Sequence, residues 1–440
     1  MLAIVRITLT LTFIAGLNIS AKAETLSDIY RIAVKQDPVI LAAKASYNAD
    51  KETLKQGRAV LLPQLSGAAN KIEPTEPTGE NPNKSTFSAS LSQSLFNVPA
   101  WFQFKSAKHM DLAAEATFAA KQQDLIIRVS EAYFNVLRAN KNKQTREAEQ
   151  LAISRQLEQT KERFEVGLLA ITDVYEIQAI YDEATVNTLE AKGALDIAFE
   201  KLQAISGQSH NQLSGLKDNF ITSLPDPIEV FSGVEFSLSN NFELKASQFA
   251  QKAASNSAKA AKAQHLPKIT ISTDYSKRDW EPIANFDGGI TEQSSVNLNL
   301  TMPIFSGGLI SSQARQSSFK AKAAEHNFIA AKRKTTQVAR SSHQQVITNI
   351  ARVKARKQAI TSAESALKAT QAGYEVGTRN IVDVLMAQRT VFQAKRNFSS
   401  ARYDYILSMM RLKQVAGQLS PEEIFNLDIW LDAQILINNL

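Results

Sequence analysis

The sequence predicts a mainly helical chain with four strands, written as two copies of one helix–strand–strand–long helix–turn–helix unit. Three observations carry this. Only 16 Gly and 12 Pro occur in 440 residues, and Ala, Gln, Lys, Ser and Leu are abundant, a mix that favours long helices. Segments of about ten residues with strict two-residue alternation interrupt the helical runs in two places. Four landmarks also recur in the same order at almost one offset. Pro63 of "QGRAVLLPQLSGAAN" and Pro267 of "AAKAQHLPKITISTD" lie 204 residues apart, and Phe96 and Phe305 lie 209 apart. The turns "FEVGLLAITDVY" (164–175) and "YEVGTRNIVDVL" (374–385) lie 210 apart, as do Gly207 and Gly417.

The N-terminus reads as a secretory leader, residues 1–23. Arg6 precedes an apolar stretch from Ile7 to Leu17, and Ala21-Lys22-Ala23 offers a small-x-small cleavage site before Glu24. Cleavage there lowers the formal charge from +7 to +5. No later stretch is a long uninterrupted apolar run, so a membrane role would fall to strands. The chain has no cysteine, which excludes disulfides, thiol chemistry, cysteine metal sites and a cysteine lipid anchor.

The first repeat is expected over 24–207 and the second over 236–417, with a connecting segment at 208–235 and a tail at 418–440. Residues 27–61 read as helix until Leu62-Pro63, because the residue before proline is pushed out of the α region. Residues 99–164 have few breakers, with Leu125, Val129, Ala132 and Val136 on one stripe and Ile126, Tyr133 and Leu137 beside it. Residues 309–376 form a matching run interrupted only by Gly373. At 1.5 Å per residue such helices are roughly 100 Å long, so they need helical partners, usually coiled-coil fashion.

The strands are expected at about 64–73, 84–96, 268–279 and 292–304, in two hairpins. Phe87, Ala89, Leu91 and Leu95 alternate with serines 88, 90, 92 and 94. Val296, Leu298, Leu300, Met302 and Ile304 alternate with Asn297, Asn299, Thr301 and Pro303. Ile269, Ile271 and Tyr275 stand opposite Thr270, Ser272 and Asp274. This pattern fits membrane barrel strands and equally a soluble sheet packed on helices. Four strands cannot close a barrel, since membrane barrels begin at about eight. Either several copies share one barrel, or the strands form a small soluble sheet.

Chemistry is not written here. His109, His210, His265, His326 and His343 are scattered, and no nucleophile elbow, phosphate loop or HExxH motif occurs. The expectation is no enzyme, no cofactor and no metal. The basic stretch Arg315–Lys357 reads as a hydrated helix face or a partner surface. A leader peptide and the lack of a DNA-binding motif argue against nucleic acid.

The two turns are helical-hairpin signals. Gly167 and Gly377 sit where a helix C-terminus wants a left-handed residue. Asn380 is a good N-cap with Asp383 three residues on, whereas Ala170 in the first copy is not, so the helix there is expected to start nearer Thr172.

Together the leader, the duplicated halves and these two turns resemble the TolC-type outer-membrane efflux and secretion channels. The likeness covers essentially all of the processed chain and is closest over "GYEVGTRNIVDVLMAQRTVFQAKRNFSSARYDYI" (373–406). It implies a homotrimer whose long antiparallel coiled-coil helices form an α-barrel tunnel across the periplasm. The four strands per chain would join a 12-stranded β-barrel embedded in outer-membrane lipid. It implies a periplasmic adaptor and an inner-membrane transporter of the ABC, RND or MFS type as partners. It also implies a gate at the tunnel end, in which Thr172 and Asp173 of the first turn bond Tyr374 and Arg379 of the second. A pore-facing acidic ring maps to Asp383, and a second acidic position of the family falls on Met386. The missing lipid-anchor cysteine resembles the secretion branch more than the lipidated drug-efflux branch. The other reading is a soluble periplasmic coiled-coil adaptor, which should show an inner-membrane anchor and a lipoyl-like β-domain; neither is visible.

Overall fold

The computed structural model describes residues 23–78, 81–224, 230–283 and 287–438. The expected leader lies outside the described residues except for Ala23, as do parts of both hairpin loops. The first half runs α1 (Leu26–Gln36), α2 (Pro38–Ala59), β1 (Gln64–Ile72), β2 (Lys84–Phe96), α3 (Val98–Glu165) and α4 (Ile171–Ser206). After β3 (Gln212–Leu216), the second half repeats this order. It comprises α5 (Val230–Asn240), α6 (Phe242–Lys262), β4 (Lys268–Trp280), β5 (Gly289–Thr301), α7 (Leu309–Glu375) and α8 (Ile381–Val415). The chain finishes with α9 (Pro421–Asp428) and β6 (Leu431–Asn438). The counterparts match closely in length: α3 has 68 residues and α7 has 67, α4 has 36 and α8 has 35.

Two expectations are corrected. The single helix over 27–61 is two helices. Asp37 precedes Pro38, takes extended backbone, and caps α2 by accepting from the Ile40 N–H at 3.0 Å. The fourth strand ends at Thr301 rather than 304, ahead of Pro303, which has no N–H to give a ladder. In the connecting segment and the tail, β3 and β6 pair antiparallel into a second, two-stranded sheet.

The four expected strands form one antiparallel sheet in the order β1-β2-β4-β5. Residues paired across an antiparallel ladder share a face, so the register sorts the side chains. One face carries Leu65, Leu91, Thr273 and Val296 in one row, then Ile271 with Leu298 and Ile269 with Leu300. The other carries Ser66, Ser90, Asp274 and Ser295 in one row, with Ser92, Ser272 and Asn297 beside it. Asp274 gathers this polar face, accepting from Ser90 Oγ at 2.5 Å, Asn297 Nδ2 at 2.9 Å and Ser272 Oγ at 3.2 Å. The apolar face is bare: Leu65, Val296, Leu298 and Leu300 are each about 70% exposed or more. Among the described residues, the outer edges of β1 and β5 have no partner strand.

The helices are laid out by level. Beside the sheet the packing order is α2-α3-α6-α7, and towards the other end it is α4-α3-α8-α7. Between the levels lies the main core. It gathers Leu26 and Ile29 of α1, Leu125 to Leu137 of α3, Leu195 and Leu202 of α4, Ile406 of α8, and residues of β3, β6 and α9. Burying each such side chain contributes about 1.5–3 kcal/mol.

Polar clamps tie this equator to the chain ends. Glu24 forms a single parallel β-bridge to β3, its N–H donating to Gln212 O at 2.9 Å and its carbonyl accepting from Ser214 N–H at 3.0 Å. Glu24 Oε2 lies 2.6 Å from His210 Nδ1, whose Nε2 lies 2.6 Å from Ser206 Oγ. Buried Tyr133 donates to Ser214 O at 2.7 Å, and burial holds its phenol well above the usual tyrosine range. Arg128 grips both oxygens of Asp37, at 3.2 and 2.7 Å. Burial alone would raise the Asp37 carboxyl; the guanidinium and the backbone N–H groups of α2 outweigh it and hold it below the usual carboxylate range.

Candidate functional site at the paired helix tips

Both hairpins end in the same backbone motif, for the same local reason. In the first, Gly167 N–H donates to Phe164 O at 2.8 Å and Leu168 N–H to Arg163 O at 2.9 Å. In the second, Gly377 N–H donates to Tyr374 O at 3.0 Å and Thr378 N–H to Gly373 O at 2.8 Å. These are Schellman closures, and each needs a residue at positive φ just past the helix. Gly167 has φ +79° and Gly377 φ +76°, values glycine takes freely and L side chains resist.

The return helices start differently. In α8, Asn380 Oδ1 accepts from Asp383 N–H at 2.7 Å, and Asp383 Oδ2 accepts from Asn380 N–H at 3.3 Å, a complete capping box. α4 starts at Ile171, one residue before the expected Thr172, with Ala170 in the cap position and no side-chain cap. Its first turn is closed by backbone alone, Asp173 N–H donating to Ala170 O at 3.2 Å. The second turn has more stitches still: Thr378 Oγ1 donates to Gly373 O at 3.0 Å, and Arg379 N–H reaches the same carbonyl at 3.2 Å. A Cβ on Gly373 would stand 2.9 Å from Arg379 Cγ, so glycine there makes room for the arginine stem.

The structure brings some of the expected gate residues together and leaves others apart. Asp383 serves its own cap and lies 3.9 Å from Arg379 Nη1. Met386 is half exposed one turn further along α8. Thr172 and Asp173 sit on the first turn of α4, and among the described residues neither bonds to Tyr374 or Arg379 within the chain. Tyr374 instead accepts a hydrogen bond from Arg163 Nη1 at 2.8 Å, with the guanidinium 5.8 Å from the ring centroid. Arg163 is a residue that the sequence reading missed. The signal was present, because at the 210-residue offset it pairs with Gly373, so the two copies differ most sharply there.

Behind the turns, a small second core joins the hairpins: Ile153, Leu157, Val174 and Ile177 meet Ile381, Val384 and Leu385, with half-buried Tyr374 packed on them. Polar ties follow further up, Arg389 to Glu183 at 2.9 Å and Arg396 to Glu149 at 2.8 Å. Among the described residues, no cluster of His, Asp and Glu is suited to a metal, and no helix is long and apolar enough to cross a membrane.

The geometry is thus a pair of roughly 100 Å helical hairpins, tipped by two unlike turns, below a sheet that is apolar on one face and polar on the other. A family model described as "Outer membrane efflux protein" matches residues 29–208 and 234–418, the two halves of the duplication. The outer membrane protein TolC of Vibrio cholerae is 35% identical over 412 residues, covering 93% of this chain and 94% of that protein. The alkaline protease secretion protein AprF of Pseudomonas aeruginosa is 26% identical over 427 residues, 94% of this chain and 88% of that one. Among solved structures, CusC shares the fold with a TM-score of 0.79 at 16% identity, over 90% of this chain and 92% of that chain. With the family model matched across both repeats, the chain belongs to the outer membrane efflux protein family.

Proposed function

We propose that this protein is the outer-membrane exit duct of an efflux or type I secretion system, working as a trimer. It is an outer-membrane protein that extends into the periplasm, and it is a channel rather than an enzyme. The observation that carries the trimer is the sheet. Four strands with a bare apolar face, a polar face and two open edges can neither close alone nor stay exposed in water. Three copies, each pairing its β5 with the β1 of the next, give a 12-stranded barrel with the apolar rows on lipid and the Asp274 row on the lumen. Phe96, Trp101 and Phe305, all exposed where the sheet meets the helices, suit the aromatic girdle at the lipid boundary.

The helices support the same assembly. Their open edges within one chain are α4 and α7 in the lower level. Seven acids and two bases lie on α4, against six bases and two acids on residues 340–375 of α7, the stretch at the same level. Tyr175, Val186, Leu189 and Ile197 form an exposed apolar stripe on α4. The α7 edge of one copy therefore suits the α4 edge of the next by charge, while the stripe supplies apolar area. This gives the lower part of the basic stretch, Arg340 to Lys357, a partner surface.

In this reading the tips close the periplasmic end of the tunnel. Tyr374 and Arg379 on one hairpin meet Thr172 and Asp173 on another, across or between copies, and the ring of Asp383 narrows the pore. A periplasmic adaptor and an inner-membrane transporter open it by drawing the tips apart. Purification and bilayer recording test this. A detergent-dependent trimer that conducts ions is expected; a soluble monomer released by osmotic shock would overturn it.

A further inference from the structure

We infer that Arg163 is a further member of the tip gate, a positioning residue that acts through Tyr374. The inference rests on the duct reading above. It starts from donor and acceptor accounting at one phenol. A tyrosine hydroxyl has one O–H to give and lone pairs to accept with. Arg163 Nη1 donates to the Tyr374 oxygen at 2.8 Å, so it occupies a lone pair and leaves the O–H free. A carboxylate such as that of Asp173 can then take that O–H without displacing Arg163.

The guanidinium does more than fill a lone pair. It stands 5.8 Å from the Tyr374 ring centroid, where it is attracted to the ring and fixes the ring's orientation. A phenol that accepts from a cation is also a stronger donor, because hydrogen bonds in a chain polarise one another. Arg163 itself is well anchored, since its carbonyl closes the first Schellman turn by accepting from Leu168 N–H at 2.9 Å. The half-buried ring of Tyr374 meanwhile packs on the second core. The Arg163–Tyr374 bond thus ties the last turn of α3 to the last turn of α7, closer to the tips than the Arg389–Glu183 tie.

The duplication explains why the device is one-sided. The position equivalent to Arg163 in the second copy is Gly373, and that of Tyr374 in the first copy is Phe164. A phenylalanine has no oxygen to accept, and a glycine has no arm to give. A reciprocal bond in the opposite direction is therefore impossible, and one cation per chain holds one phenol.

The test is a double-mutant cycle read by single-channel conductance in planar bilayers, using full-length trimers of wild type, Arg163→Ala, Arg163→Lys, Tyr374→Phe and the Arg163→Ala/Tyr374→Phe pair. Arg163 is exposed, so the variants should still assemble, which a detergent-resistant trimer on a gel confirms. Arg163→Ala is expected to raise the resting conductance severalfold, and Arg163→Lys to stay near wild type. The double variant should match Tyr374→Phe rather than exceed it. Wild-type conductance in Arg163→Ala, or additive effects in the pair, would overturn the role of Arg163. If the wild-type protein itself forms no channel, the duct reading fails instead.

Discussion

The equator and the tips are built from the same helices, α3, α4, α7 and α8, yet they are held in opposite ways. At the equator, α3 and α8 are surrounded, and Tyr133, Phe134, Leu137 and Ile406 are almost wholly buried. Chain ends, the two-stranded sheet and α9 are laid over them. At the tips a handful of aliphatic residues and a few exposed polar bonds join the hairpins. Free energy of unfolding is concentrated in the middle, and motion is left to the ends. Local opening is cheapest where buried apolar contacts are few. In the proposed duct, a tube that stays intact while one end dilates needs this division.

The largest expected effect breaks the equator. Phe134→Ala should cost about 3–5 kcal/mol and lower the thermal or urea midpoint sharply, because the ring is fully buried among fixed neighbours. If it left the midpoint unchanged while altering conductance, the division of labour would be wrong.

Next come changes at the tips. Tyr374→Phe with Arg379→Ser removes a hydrogen bond and a charge-assisted pair, each on the order of 1–3 kcal/mol. It should hold the tunnel end open more often and raise single-channel conductance, with the unfolding midpoint unmoved. Unchanged conductance would remove both residues from the gate.

An acid titration sharpens the equatorial side. The Asp37 carboxyl is depressed in the folded chain, so the stability it adds is complete above the unfolded carboxylate value. That stability is lost as pH falls through the lower, folded one. Asp37→Asn should cost roughly 1.5–3 kcal/mol near neutral pH and flatten the acid limb of the stability curve. An acid limb as steep as wild type would exclude Asp37 as a source of it.

A smaller effect concerns the pore. With Met386 in the second acidic position, block by a trivalent cation should be weak, and Met386→Asp should tighten it about tenfold, or about 1.4 kcal/mol. Block in the wild type as tight as in the Met386→Asp variant would sink the single-ring description.

The smallest effect separates the two turns. Asn380→Ala should cost about 1 kcal/mol of local stability by breaking the capping box, seen as faster amide exchange at the start of α8. Ala170→Asn should do the reverse for α4. By recruiting the Asp173 carboxylate to a new capping box, it should also weaken the gate and raise conductance slightly. Equal exchange in both variants would mean that capping is not what distinguishes the turns.

Much of this was legible in the sequence because it is local. Long helices follow from missing breakers, and the four strands follow from alternation that survives in the register. The Schellman turns follow from Gly167 and Gly377, and the cap of α8 follows from Asn380 and Asp383. The break at Asp37-Pro38 was equally local and was overlooked. What stayed hidden depends on distant chain. The pairing of β3 with β6 joins segments more than 200 residues apart, and "QLSGL" alone has no period to announce it. The Arg163–Tyr374 bond also joins the two repeats. It could be found only by asking how the copies differ, whereas the duplication was recognised by how they agree. Its likeness to a known family supplied Thr172, Asp173, Tyr374 and Arg379, but not Arg163.

The β-bridge at Glu24 bears on where this chain can be labelled. Glu24, which follows the expected cleavage site, is bridged to β3 beside His210, and β6 lies on the same small sheet. An affinity handle or fluorophore fused directly at Glu24 would have to thread out past that hydrogen-bonded bridge. The hairpin ends of the strands, at Ile72, Lys84, Trp280 and Gly289, lie far from that belt, at the opposite end of the strands from the helices. A label placed at that end keeps clear of the buried equatorial core.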